Sequence, residues 1–209
     1  MLHFRFHCRL PVFIPVLLVF ISLQCNANDP EDFYNNGEKR FQITTFAFGG
    51  TGILFTRVNN HTGVMTGGRG SATFNNRYTF GGAGWGMPKG IELETSKTDT
   101  LEFFKMGYGG LEFGYIFSEG RRIRCGSNLL VAMGAGFQEI YPRSKGEINL
   151  FPLLEPSLYA QISFGRLLKI DLGITYRFVT GSQFTFINNR QLSGPSFYVA
   201  FLVGTCSCD

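Results

Sequence analysis

Charged side chains make up only 16% of this 209-residue chain. The most distinctive of them are Arg69, Arg77, Glu112, Arg124, Glu155, Asp171 and Arg177, each opposite a run of apolar neighbours. The chemistry such a set can do is ion pairing away from water. An isolated buried charge costs several kcal/mol, so guanidinium and carboxylate groups on one enclosed face must meet. Arg69, Glu112, Arg124, Glu155, Asp171 and Arg177 are therefore the candidate network, read as a charge-paired plug. A selective ion or solute path is the competing reading. Asp171 and Arg177 stand six positions apart, roughly 20 Å along a strand, so neither can serve the other. Glu155 and Arg177 are symmetric about position 166. A tight turn there would make them cross-strand neighbours, and a Glu155–Arg177 contact is expected, joined by Arg69 or Glu112.

Other chemistry finds little support. Beyond the first residues there is one histidine, His61. A Ser–His–acid site needs all three groups within hydrogen-bond reach, and Ser96, Asp99, Ser144 and Ser182 have no spacing that selects a nucleophile. The Gly-Gly-Ala-Gly-Trp-Gly run at 81–86 lacks the helix that a phosphate cradle requires. One histidine among scattered carboxylates is no metal site, and no cofactor is expected. Net charge is only +4, without a basic run long enough for nucleic acid. Cys125, Cys206 and Cys208 are odd in number and form no disulfide framework.

The elements that must position the charged set read as strands. In 169–178, Ile170, Leu172, Ile174, Tyr176 and Phe178 alternate with Lys169, Asp171, Gly173, Thr175 and Arg177. Period two over ten residues is a strand with different surroundings on its two faces. Similar alternation, blurred by glycine in the first third, predicts eight strands at 42–56, 63–74, 77–87, 101–117, 122–138, 152–165, 168–179 and 195–205. Links at 75–76, 118–121 and 165–167 are tight; those at 57–62, 88–100, 139–151 and 180–194 are longer and polar. Short and long links that alternate predict an all-β, closed antiparallel up-and-down barrel.

No stretch reaches 18 consecutive apolar residues, so no membrane helix is expected. Arg5 and Arg9 ahead of the apolar 12–23 stretch read as a secretory signal over 1–27. The expected organisation is then an N-terminal extension at 28–41, the barrel at 42–205 and a tail at 206–209. Phe and Tyr near the strand ends resemble the aromatic girdles of membrane barrels. They favour lipid outside and charges inside over a soluble exported barrel that binds a small apolar ligand. An outer-membrane lipid-modifying enzyme using His61 is the third reading.

The segments TGGRGSATFNNRYTFGGAGWGM (66–87), YGGLEFGYIF (108–117), LLVAMGAGF (129–137), EPSLYAQISFGRLLKIDLGITYRFV (155–179) and LSGP (192–195) resemble, in serial order, small outer-membrane β-barrel proteins of Bacteroidetes-type bacteria. The resemblance implies the broad OmpA/OmpX architecture. It further implies an exported, non-enzymatic protein with loops offered to the outside, in contact with the lipid bilayer of the outer membrane and its assembly machinery. The chain differs from such barrels in ending Cys206-Ser207-Cys208-Asp209 rather than in an aromatic residue.

Overall fold

A computed structural model describes residues 46–204, except 60, 95–100, 121, 142–146, 166 and 185–186. The expected signal, extension and tail lie outside these residues. The described chain is almost wholly β1 (Phe46–Val58), β2 (His61–Phe74), β3 (Tyr78–Gly86), β4 (Ile91–Glu94), β5 (Leu101–Glu119), β6 (Ile123–Tyr141), β7 (Glu147–Phe164), β8 (Leu168–Val179) and β9 (Gly194–Gly204), with one helical turn, α1 (Asn189–Leu192). Every pairing is antiparallel. The order β3-β2-β1-β9-β8-β7-β6-β5 closes on itself through β3–β5.

The barrel has eight staves because β3 and β4 are one stave in two pieces. Both pair with β5, and the ladder breaks at 87–90, where Pro88 lies. Proline has no N–H to donate. The expected loop at 88–100 therefore begins later, after Glu94. Two other expected long links also shrink. Strands β6 and β7 run to Tyr141 and from Glu147, and Val58 pairs with His61, which leaves a two-residue turn where the sequence predicts a loop over 57–62. Asn59 takes φ 47° there, as Asn75 and Asn76 do (50° and 54°) in the opposite turn. Asparagine tolerates this left-handed backbone, which two-residue hairpins require. The strict alternation of link lengths thus fails at its first member, while the barrel it predicted is correct.

Register fixes the tilt. The ladder runs Thr73–Thr79–Gly114–Asn128–Ser157–Thr175–Ser196–Thr56–Gly63, so one circuit returns to β2 ten residues from its start. A stagger of this size in eight strands tilts them by roughly 40°, and each residue climbs about 2.5 Å. The outward run of β8 from Leu168 to Phe178 then spans about 25 Å, the height of the apolar band of a membrane barrel.

Burial is inverted relative to a water-soluble barrel. Ile53, Leu111, Met133, Leu158, Ile174 and Phe201 are exposed on the outer wall, while Arg69, Glu112, Glu155, Lys169, Asp171 and Arg177 are buried inside. No described helix is long and apolar enough to cross a membrane; the strands supply the apolar surface.

Candidate functional site

The interior is built in tiers, each from inward positions of several strands. Near the short-turn end the Lys169 ammonium lies 5.0 Å from the centre of the Phe48 ring.

Above it Arg69 crosses the lumen from β2. Its Nη2 donates to Glu112 Oε1 of β5 at 2.7 Å, and its Nη1 lies 3.5 Å from Asp171 Oδ2 of β8 and donates to the Tyr198 hydroxyl of β9. The guanidinium also sits 5.0 Å from the Tyr198 ring centre and 5.6 Å from that of Tyr159 on β7. Gln161 Nε2 donates to Asp171 Oδ1 at 2.8 Å, and Asn128 of β6, with its amide oxygen toward the guanidinium, accepts from Arg69. One side chain therefore ties β2 to β5, β6, β7, β8 and β9. Space for it comes from glycine. A Cβ at Gly173 would strike the Tyr198 ring, and one at Gly126 would stand 2.5 Å from the Tyr159 hydroxyl.

The next tier holds Arg177. Its Nε donates to the Leu192 carbonyl at 2.9 Å, and its Nη1 donates to Thr56 Oγ1 at 3.1 Å. Ser196 Oγ donates to the same threonine oxygen at 2.8 Å. Glu155 Oε2 accepts from the Tyr108 hydroxyl at 2.6 Å. Glu155 and Arg177 do fall opposite each other in the β7–β8 register, as the symmetry about 166 predicts. The expected direct contact is not made, for neither described ion pair includes them. Tyr108 stands between, with its ring centre 5.6 Å from the Arg177 guanidinium. Two competing acceptors explain the difference: Thr56 and the Leu192 carbonyl draw the arginine toward the long-link end.

That carbonyl belongs to the segment 180–193, whose described residues, 180–184 and 187–193, cover the mouth as a lid. Phe184, Ile187 and Leu192 are buried. The Phe184 ring packs 5.6 Å from Phe104 and 6.3 Å from Phe151, over Gly136, where a Cβ would stand 2.5 Å from Phe184 Cζ. Asn59 N–H donates to Gln191 O at 2.8 Å, and Val179 N–H to Ser193 Oγ at 2.9 Å. Described residues of the 180–193 segment, the Arg177 tier and the Arg69 tier thus succeed one another along the lumen.

Of the six candidate network residues, Arg69, Glu112 and Asp171 meet directly, and Glu155 and Arg177 flank Tyr108. Arg124 is half-buried at the turn end of β6, opposite Gln161 in register. Arg77 does not face the lumen: it is exposed in the β2–β3 turn. His61 is exposed at the start of β2, and Ser182 hydrogen-bonds Asn189 rather than a histidine. Ser96, Asp99 and Ser144 lie outside the described residues. Residues 81–86 are strand, not a phosphate loop. Sequence reasoning missed Tyr108, Tyr159 and Tyr198 as partners, although their inward parity was readable.

No protein-family model matches the chain, and no curated protein does. Solved structures do match in fold. The outer-membrane protein OprG from Pseudomonas aeruginosa aligns at a TM-score of 0.54 and 10% identity, covering 78% of this chain and 96% of its own. Ail, the attachment invasion locus protein of Yersinia pestis, solved with the heparin analogue sucrose octasulfate, aligns at 0.50 and 12%, covering 77% and 96%. Neisserial surface protein A aligns at 0.49 and 12%, with the same coverage. The chain thus has the fold of the small eight-stranded outer-membrane β-barrels.

Proposed function

We propose that the protein is a non-enzymatic barrel of the outer membrane, whose charge-paired lumen keeps a narrow wall rigid while the long-link end is presented outside the cell. The observation that carries this reading is the inverted burial: charges inside, and large apolar residues exposed on the outer face of every stave. Water would penalise such a wall, and lipid would not. The alternative of a soluble barrel with an apolar ligand loses its site, because the space it needs is occupied by Arg69, Glu112, Asp171 and Arg177. A role in surface contact is supported by the name of Ail as an attachment protein. Membrane fractionation tests the proposal. The chain is expected in the outer-membrane fraction, extracted only by detergent; recovery as a soluble species without detergent would overturn it.

A further inference from the structure

The long-link rim of the barrel is not uniform. Over β1, β2, the β3–β4 break and β5 it carries Arg57, His61, Lys89 and Lys105, all exposed, and none of them is in an ion pair with a described residue. Arg57 pairs in register with Thr62, and the stem of Lys105 lies beside Gly90, with Cγ 3.1 Å from where a Gly90 Cβ would stand. Three strand spacings put Arg57 and Lys105 about 15 Å apart around the wall. Over β6, β7 and β8 the corresponding outward positions are Phe137, Ile148, Leu150 and Phe178, with no basic residue among those described.

The wall below the basic arc is also different. Its middle row, Thr51–Gly68–Gly84–Gly109, is outward-facing and almost without side chains. The barrel's own packing does not require this bareness at every position. Inward Gly67 and Gly110 have backbone oxygens where a Cβ would go, whereas outward Gly84 and Gly109 have ordinary clearance at 3.5 and 3.4 Å, and Gly86 faces open space. Elsewhere the same height of wall carries Leu158, Ile174 and Phe197. The outward glycines of β2, β3 and β5 leave a bare strip about 15 Å tall, bordered by Ile53, Val64 and Leu111 and topped by Lys89 and Lys105; it complements a molecule with acyl chains and an anionic head.

We propose that this face seats a membrane lipid with a phosphorylated headgroup, its phosphate held by Arg57, Lys89 and Lys105 and its chains laid on the glycine wall beneath. The proposal rests on the membrane reading above and adds to it a chemical class and a place.

Native mass spectrometry of the full chain, refolded in neutral detergent, tests it with dioleoyl phosphatidylglycerol and dioleoyl phosphatidylcholine as probes. The wild type is expected to retain the anionic lipid more strongly. Arg57→Gln with Lys105→Gln should weaken that retention about tenfold, since each cation near an anionic surface contributes several-fold, and should leave the zwitterionic lipid unchanged. Gly84→Leu should reduce retention of both lipids and spare the headgroup preference. Arg77→Gln with Arg122→Gln, at the opposite rim, should have no effect. The charged positions are exposed and Gly84 is half-buried on the outer wall; a heat-dependent gel shift checks that each variant is folded. Equal retention of both lipids by the folded wild type would overturn the proposal alone. An equal loss from either rim's variants would also overturn it. Retention of neither lipid, by a chain that stays in solution without detergent, would overturn the membrane reading with it.

Discussion

Two buried arginines cross the same lumen and are held in different ways. Arg69 is clamped by the wall: two carboxylates, a phenol and an amide from four strands converge on it. Arg177 is held by neutral oxygens, a threonine hydroxyl and a carbonyl of the lid, and its Nη2 has no hydrogen-bond partner among the described residues. Removing Arg69 strands two acids, whereas removing Arg177 strands none in direct contact. The first is a staple of the barrel itself, and the second couples the barrel to its cover.

The contrast is broken or sharpened most strongly by Arg69→Met, which leaves Glu112 and Asp171 buried without their cation. Urea unfolding in lipid vesicles should show a loss of about 3–5 kcal/mol. A loss no greater than that of Arg177→Met would erase the distinction. Arg177→Met itself should cost about 1.5–3 kcal/mol, the range for hydrogen bonds to a charged group. It should also make the lid more susceptible to proteolysis between Thr180 and Ser193 without opening the barrel; an unchanged lid would show that the Leu192 carbonyl does not anchor it.

Double-mutant cycles compare the tiers with smaller effects. Arg69→Gln with Glu112→Gln should couple by more than about 1 kcal/mol, as residues in contact do. Glu155→Gln with Arg177→Gln should couple more weakly, by about 0.5 kcal/mol, because the two meet only through Tyr108. The reverse order would restore the pair that the hairpin symmetry favours. Smallest of all, Cys125→Ser should stay within about 0.5 kcal/mol, since this thiol is free.

What the sequence displayed follows from periodicity. Alternation in 169–178 assigned the inward and outward sets of β8 correctly, and the tight turn near 166 set the β7–β8 register. Register brings backbones opposite each other but does not choose where a long side chain reaches. Arg177 could extend to either end of the lumen, and the acceptors that decide, Thr56 and Leu192, are 121 and 15 residues away. The lid was illegible for a related reason: 180–193 has no strand period, and Phe184 is buried by rings from β5 and β7 that only barrel closure assembles. Pro88 and Asn59 mislead in the same direction, toward loops longer than those found. Pro88 marks a break and not the start of a long loop, for the stave resumes at Ile91, and the polar stretch around Asn59 is a hairpin turn.

The central claim is that the apolar faces meet lipid and the charged faces line the lumen. It is tested most directly by tryptophan fluorescence in vesicles with brominated acyl chains. In a Trp85→Phe background, Leu172→Trp places the only indole on the outer wall near mid-height, and Thr175→Trp, three residues on, places it inside. The account predicts strong quenching of the first by brominated chains and little of the second. Quenching of Leu172→Trp by aqueous acrylamide, with none by the brominated lipid, would contradict it.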